Sequence, residues 1–218
     1  SFGWISNSCF YYAHHMTTIE GGMICTDDET IYQQLRMLRS HGMVRESNNE
    51  NVRSAYLQDN PELNPDFIFA LPAYNVRNTE IGGIMGRSQL KRLDHDVSRR
   101  AENLLRFLGQ IDSNKYRTDF KLEGSSNYAF NLILKQPDDD LVLRLMEKMR
   151  CSGIEFRRGS AGGGNQIRQP YMKGIVPEGH HLEFPEVEHI HFYGFYIGNF
   201  PDLSGGEVDE LCEILNSV

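Results

Sequence analysis

The sequence of 218 residues predicts an α/β protein in which helices pack against a sheet. Two observations favour this fold class. Stretches rich in aromatic and β-branched residues alternate with stretches whose apolar residues recur at helical spacing, most clearly in the second half. Capping residues precede the helical stretches, and glycines often follow them. The 39% of hydrophobic and 24% of charged residues are ordinary for a globular protein.

The first half is predicted to begin with two strands and a helix. SCFYY (residues 8–12) and GGMICT (21–26) are the strands, and a turn that contains two histidines joins them. Asp27 is expected to cap the following helix, which ends before Gly42. Residues 45–72 are predicted to be irregular, and an irregular segment of that length inside a compact domain usually has a function.

Thr79 is expected to begin a long helix that runs to about Ile111. Near its start, one face of this helix lacks side chains at Gly82, Gly83 and Gly86, which suggests the close approach of another backbone. The second half then contains three predicted strands and two helices. In chain order these are a strand at 127–135, a helix capped by Asp138 and ended by Gly153, strands at 154–159 and 192–199, and a helix with a capping box of Ser204 and Glu207.

Charge and cysteine spacing restrict the class of protein. The net charge of −8 argues against nucleic acid or an anionic membrane as a partner, since either requires a basic face. No apolar run approaches the roughly 18 residues of a membrane span. We therefore expect a cytoplasmic protein without such partners. The four cysteines fit no zinc or iron–sulfur pattern and are expected to be reduced, mostly buried and free of metal: Cys9, Cys25, Cys151 and Cys212.

The stretch YYAHHMTTIEGG (residues 11–22) places His14 and His15 side by side before a Thr-Thr-x-Glu-Gly-Gly turn. Adjacent histidines lack the i, i+4 spacing of helical metal ligands, and no cluster of carboxylates or cysteines accompanies them. A metal site is therefore not expected. An acid/base role and an ordinary surface or core position both stay open from the residues alone.

The same stretch resembles the active-site segment of the DegT/DnrJ/EryC1/StrS sugar aminotransferases, which use pyridoxal phosphate (PLP). The residues that match the family pattern are Thr17, Thr18, Glu20, Gly21 and Gly22, and His14 stands at the lysine position. The resemblance continues through ICTDDETIYQQLRMLRSHG and AYNVRNTEIGGIMGRSQLKRLD to GFYIGNFPDLSGGEVDELCEIL. It implies the C-terminal part of a fold-type I, aspartate aminotransferase-like enzyme. Residues 1–110 would end the large cofactor-binding domain, including the long connecting helix, and residues 111–218 would form the small α/β domain.

A histidine at the lysine position resembles the dehydratase branch of the family. That branch removes the 3-hydroxyl of a nucleotide-linked 4-keto-6-deoxyhexose of the GDP-4-keto-6-deoxymannose type, for deoxysugar and O-antigen biosynthesis. A lysine amine can bond covalently to the cofactor aldehyde, whereas an imidazole cannot, so the cofactor can persist as pyridoxamine phosphate (PMP). An imidazole with a pKa of about 6.5 suits proton removal and protonation of the leaving hydroxyl. The resemblance implies glutamate as the amino donor. An ordinary sugar aminotransferase and a non-catalytic remnant are the alternatives.

The resemblance also implies further site residues. Asn75 matches an asparagine that reaches the cofactor phosphate of the neighbouring subunit, which implies a homodimer with shared active sites. Cys9 stands where the family has a phosphate-binding serine, and a thiol is a weaker donor. His14 would contact the cofactor and carry the proton transfers. His41 would be a second acid/base near the sugar, or a charge at the C-terminus of a helix. Glu20 is expected to hold the turn.

The loop GGGNQIRQP is the last candidate. Gly164, Asn165 and Arg168 would hold glutamate or the nucleotide phosphates through backbone amides and the guanidinium, or belong to a flexible surface loop. The His/Glu group that follows has no ligand spacing and is expected to be solvated helix and loop: His180, His181, Glu183, Glu186, Glu188, His189 and His191. We also expect the residues that hold the pyridine ring to lie in a preceding half, so the isolated chain should bind cofactor poorly.

Overall fold

The computed structural model describes residues 3–159 and 163–218. These divide into two compact units, which we call the first unit (residues 1–92) and the second unit (residues 93–218). The division lies before the helix at 93–110, which we had expected to close the large domain. The assignment of residues 1–110 to a large cofactor-binding domain concerns the complete protein and stays a prediction.

The first unit begins with an antiparallel hairpin of β1 (Ile5–Cys9) and β2 (Gly22–Thr26). The second strand is predicted correctly, but the first lies three residues earlier than predicted. After Cys9 the chain leaves the ladder and turns. The hydrogen bond from the Phe10 amide to the Gly21 carbonyl (2.9 Å) lies next to the last strand pair. Nearly every residue of the hairpin is exposed on both faces.

Three helices complete the first unit, with two short 3-10 turns between them. The helices are α1 (Glu29–Leu38), α2 (Glu50–Asp59) and α3 (Glu80–Leu90). Asp28, one residue later than predicted, caps α1 by accepting a hydrogen bond from the Ile31 amide (3.0 Å). Helix α2 lies inside the stretch predicted to be irregular, so that prediction is wrong. A small core of Met37, Val44 and Ile68 holds these elements together.

The predicted long helix is two helices. Thr79 caps α3 as predicted, but α3 ends at Leu90. After two intervening residues, α4 (Leu93–Gln110) begins in the second unit. Among the described residues of this one chain, no other backbone lies against the glycines of α3, and a close approach from a second subunit stays a prediction. A Cβ at Gly82 would meet the Asn78 side chain and one at Gly86 the Thr18 methyl.

The second unit contains a three-stranded antiparallel sheet in which β5 (Gly194–Gly198) lies between β3 (Ala129–Ile133) and β4 (Phe156–Arg158). Its other helices are α5 (Asp139–Cys151), α6 (Pro185–Tyr193) and α7 (Gly205–Asn216). The Asp138 cap and the Ser204–Glu207 capping box form as predicted. All three predicted strands are confirmed, each shorter than its predicted range.

Apolar residues of α4, α5 and α7 pack with those of β3 and β5 in one continuous core, where the Phe107 and Phe130 rings stack with centroids 4.5 Å apart. Of the cysteines, Cys212 belongs to this core, whereas Cys9, Cys25 and Cys151 are exposed. The expectation of mostly buried thiols is therefore wrong. Two of these thiols lie on a hairpin with open faces, and Cys151 ends α5 outside its buried stripe.

Within the described ranges, no helix combines the length and apolar character that crossing a bilayer requires. Residues 3–159 and 163–218 likewise contain no group of three or more His, Cys, Asp or Glu side chains placed to hold a metal ion.

Candidate active site

Backbone hydrogen bonds fix the turn between β1 and β2, which carries the histidines. The Thr18 amide donates to the Phe10 carbonyl (2.9 Å), and the Thr18 hydroxyl donates to the Glu20 carbonyl (2.8 Å). Thr18 is buried, which is unusual for a turn threonine. Glu20 thus supports the turn through its carbonyl, while its side chain is exposed. The structural role expected of Glu20 agrees with this geometry.

His14 lies half-buried on this turn. Its amide donates to the Tyr11 carbonyl (3.0 Å), and its ring meets the Tyr11 ring edge-on with centroids 5.8 Å apart. The imidazole is therefore oriented by a neighbouring ring and retains access to solvent. This placement suits a group that exchanges protons with a ligand.

The turn also holds one residue in a strained conformation. Ile19 has a φ of 73°, a left-handed backbone that a β-branched residue rarely adopts. The Thr17 hydroxyl oxygen accepts its amide at 3.0 Å. Gly21 has a φ of 153°, and a Cβ there would lie 2.6 Å from the Thr18 hydroxyl. The hydroxyls of Thr17 and Thr18 thus hold the backbone around Ile19, whose own side chain is 62% exposed.

Helix α3 begins beside this turn. The Asn78 side-chain nitrogen faces Gly21, and its Oδ1 accepts a hydrogen bond from the Thr79 amide (2.7 Å). Asn78 therefore joins the histidine turn to the start of the helix. The sequence analysis missed this residue, because an asparagine before a capping threonine looks like part of an ordinary helix start.

His41 lies at the tip of a tight turn. The Met43 amide donates to the Ser40 carbonyl (3.1 Å), and both central residues, His41 (φ 58°) and Gly42 (φ 76°), are left-handed. This is the pattern of a type I′ turn. A Cβ at Gly42 would lie 1.9 Å from the Leu71 carbonyl oxygen, so only glycine fits there. A left-handed histidine is uncommon, and such residues cluster at functional sites.

The exposed His41 side chain lies three residues beyond the last residue of α1. Its amide donates to the Tyr74 carbonyl (2.9 Å), and Ser40 forms an antiparallel bridge with Asn75. The structure thus brings His41 and Asn75 onto neighbouring segments. The exposed Asn75 side chain accepts only a long hydrogen bond from the Arg77 amide (3.4 Å).

The first unit fits a coenzyme that is not covalently tethered. Its only lysine is Lys91, which follows the last residue of α3, at the opposite end of that helix from the histidine turn. The Ser40 hydroxyl is buried and has no hydrogen-bond partner among the described residues, and it lies beside the bridge to Asn75. Such an orphaned donor fits the acceptor oxygens of a phosphate. Cys9 is exposed at the end of β1, opposite Gly22.

The substrate-binding candidates lie in the second unit. The Arg168 guanidinium pairs with Glu188 through both carboxylate oxygens (Nε to Oε1 2.8 Å, Nε to Oε2 3.0 Å) and lies 5.1 Å from the centre of the Phe192 ring. The buried Asn165 side chain also donates to Glu188 (2.8 Å). The hydrogen bond from Arg168, followed by that from Asn165, lowers the pKa of the Glu188 carboxyl to about 2.

Gly164 completes this cluster. A Cβ there would lie 2.2 Å from Nδ1 of His191, the atom that accepts the Asn165 amide (3.1 Å). The segment is therefore tied to α6 at Gly164 and Asn165. Gly162, the first residue of the predicted glycine-rich loop, lies outside the described residues. Binding of substrate by Gly164, Asn165 and Arg168 stays a prediction.

The His/Glu group is less solvated than predicted. Glu188 is the partner of Arg168, and the His189 Nε2 lies 2.6 Å from the Leu134 carbonyl oxygen. Both residues face inward because α6 packs beside the sheet at β5 and β4. His191 contacts Gly164 and Asn165 as described above, and the exposed members are Glu183 and Glu186. Arg168 and Glu188 are twenty residues apart along a largely irregular segment. Such a pairing leaves no periodic signal in the sequence and was therefore not predicted.

Comparison with known proteins gives one family. The model of the DegT/DnrJ/EryC1/StrS aminotransferase family matches residues 1–216. GDP-4-keto-6-deoxy-D-mannose 3-dehydratase of Escherichia coli O55:H7 is 31% identical over 216 residues, which cover 99% of this chain and 55% of the relative. The enzyme of the same name from Yersinia pseudotuberculosis is 29% identical, with 99% and 54% covered. The chain thus spans about half the length of these relatives.

Solved structures agree. A crystal structure of GDP-4-keto-6-deoxymannose-3-dehydratase with a trapped PLP–glutamate adduct has a TM-score of 0.74 at 28% identity, covering 99% of this chain and 55% of that one. A variant of this enzyme with bound GDP-perosamine has a TM-score of 0.71 at 27% identity, with the same coverage. A Streptococcus pneumoniae protein assigned as a sugar aminotransferase, in its PMP form, has a TM-score of 0.76 at 18% identity, covering 100% and 53%, and shows the fold alone. The predicted aminotransferase-like α/β fold is confirmed.

Proposed function

Because this chain belongs to the DegT/DnrJ/EryC1/StrS aminotransferase family, we propose that the complete protein is a nucleotide-sugar 3-dehydratase. Its substrate would be a GDP-linked 4-keto-6-deoxyhexose, its cofactor PLP or PMP, and its amino donor glutamate. One observation carries this proposal. By its resemblance to the family motif, His14 stands at the lysine position on the histidine turn, and the single lysine of the first unit, Lys91, follows the far end of α3.

The cofactor supplies, when bound, an amine that joins the substrate ketone and a ring that accepts electrons. The His14 imidazole takes up a proton and delivers one to the departing 3-hydroxyl oxygen, since an imidazole nitrogen can both accept and donate a proton. His41 would contact the sugar or supply a second proton, and its exposure at the tip of a left-handed turn supports this role.

We propose binding residues in each unit, taken separately. The Asn75 amide would donate to the cofactor phosphate of a second subunit in a homodimer, and Cys9 would lie at the phosphate of its own site. Gly164, Asn165 and Arg168 would border the nucleotide or glutamate. Since Glu188 already neutralises Arg168, we propose that Arg168 shapes this site and does not itself neutralise a phosphate.

The test uses the complete protein with GDP-4-keto-6-deoxymannose, glutamate and PLP. We expect a 3-deoxy ketosugar by mass spectrometry, with release of ammonia. His14→Asn should lower this turnover at least about a hundredfold, the usual contribution of a general acid/base. His15→Asn, a change at the neighbouring position, is the matched control and should retain activity. An amino sugar as the product would identify an aminotransferase instead, and no conversion by folded, cofactor-loaded protein would favour a non-catalytic remnant.

A further inference from the structure

The second unit contains a cavity of about 560 Å³ whose lining lies entirely within residues 167–181. Short 3-10 turns at Gln166–Arg168, Pro170–Met172 and His180–Glu183 build its wall. Its volume lies within the range of small-molecule sites, which is about 300–1,000 Å³. The volume exceeds what a single amino acid such as glutamate needs and suits a larger ligand.

One part of the lining is apolar. Ile167, Met172, Val176 and Pro177 contribute aliphatic, thioether and ring surfaces without hydrogen-bonding side chains. Methionine in particular adapts its shape to a ligand and makes favourable contacts with aromatic rings. A surface of this kind suits the face of a flat heterocycle better than it suits a sugar, whose hydroxyls require polar partners.

The charged residues that line the cavity differ in whether they already form an ion pair. Arg168 borders it, but its guanidinium is already neutralised by Glu188 and stacked on Phe192. Lys173 and Glu178 also line the cavity, and neither forms an ion pair with another described residue. The cavity therefore offers an ammonium group and a carboxylate that are both available to a ligand.

We propose that this cavity binds the guanine nucleotide of the substrate, with Glu178 recognising the base and Lys173 a phosphate. The inference deepens the proposed function and rests on it. Guanine presents two neighbouring donors, N1–H and the exocyclic amine, which a carboxylate accepts together. Uracil presents a single N–H flanked by two carbonyl oxygens that repel a carboxylate, and adenine presents an acceptor at N1. Glu178 therefore selects guanine among these bases.

The test measures the affinity of the complete protein for free nucleotides by isothermal titration calorimetry. GDP should bind at least about tenfold more tightly than UDP or inosine diphosphate, which lacks the exocyclic amine, since tenfold corresponds to one hydrogen bond of about 1.4 kcal/mol. Glu178→Gln should lower the affinity for GDP by about tenfold and leave that for UDP unchanged. Lys173→Ala should weaken all three nucleotides alike.

Glu147→Gln, on the exposed side of α5, is the matched control and should change nothing. Equal affinities for GDP and UDP, a Glu178→Gln variant that retains the GDP preference, or no nucleotide binding would each overturn the proposal. The two hypotheses fail separately. Dehydration by the complete protein without any effect of Glu178→Gln on GDP binding would overturn only the cavity assignment. A GDP preference that depends on Glu178, without dehydration, would overturn only the proposed reaction.

Discussion

Asn199 is a buried polar residue of the second unit whose side chain joins three segments by hydrogen bonds. It is fully buried at the end of β5. Its side-chain nitrogen donates to the carbonyls of Arg100 (3.0 Å) and Asn127 (2.8 Å), and its Oδ1 accepts from the Asn103 side chain (3.2 Å). One amide group thus joins α4, the segment before β3 and the end of β5.

Asn199→Ala would remove three hydrogen bonds and leave two carbonyls and one amide without that partner. A buried hydrogen bond contributes about 1 kcal/mol net, and an orphaned partner costs about 1–3 kcal/mol. We expect a loss of about 3–4 kcal/mol in the free energy of unfolding, a large part of the 5–15 kcal/mol typical of a domain. Urea unfolding with amide hydrogen exchange of Phe195 and Ile197 in β5 would measure it for the second unit specifically.

Two further variants make this measurement decisive. Asn114→Ala removes the same side chain at an exposed position and should stay within about 0.5 kcal/mol of the wild type. Asn103→Ala combined with Asn199→Ala should cost less than the sum of the single variants, because the two side chains share a bond. If Asn199→Ala cost under about 1 kcal/mol, the reasoning from buried hydrogen bonds would be wrong.

Two other changes have defined outcomes. Ile19→Gly should raise the free energy of unfolding by about 0.5–1 kcal/mol, since relief of the left-handed strain (about 1–2 kcal/mol) exceeds the entropic cost of glycine. Ile24→Gly, in β2, should lower it instead, and thermal melts that moved both midpoints in one direction would contradict this. The Glu188 carboxyl, with its pKa lowered to about 2, stabilises the fold fully above pH 4.5 and loses this effect as the pH falls toward 2. The stability difference between wild type and Glu188→Gln should therefore shrink across that window, and a constant difference would refute the assignment.

Helix ends were predictable because their signals are local. Thr79, Asp138 and Ser204 each accept a backbone amide three residues further along, so residue type and short spacing suffice to identify them. The capping box of Ser204 with Glu207 adds a second, reciprocal bond within the same four residues. Such contacts depend little on the rest of the fold.

Helix α2 and the break after α3 were not predictable in this way. Helix α2 has no buried residue and therefore no apolar stripe, and its clearest local support is the Asn49 cap. The interruption at Lys91–Arg92 contains neither glycine nor proline, while apolar residues continue at helical spacing on both sides. Periodicity alone joins two helices across such a point, because two turn residues barely change the pattern.

The candidate site shows the same contrast. The position of His14 follows from a contiguous motif, whereas the left-handed backbone of His41 depends on a turn that pairs with residues more than thirty positions away. The pairing of Arg168 with Glu188 likewise requires the intervening turns to fold first. Candidate residues in both units were therefore predictable from the sequence, but which of them already form hydrogen bonds or ion pairs with neighbouring side chains was not.

Two exposed cysteines of the β1–β2 hairpin, Cys9 and Cys25, can report chemically on what covers its two faces. Cys25 lies opposite Ser6 in the ladder, and Cys9 is three residues further along the same strand as Ser6, so the two thiols project from opposite faces. Thiol-reactive mass tags would modify each face independently, and a polypeptide that covers one face would protect a single cysteine. Burial raises the pKa of Cys212 to about 12, so the Cys212 thiol would remain unmodified until the second unit opens, whereas the exposed Cys151 thiol would react whatever covers the hairpin.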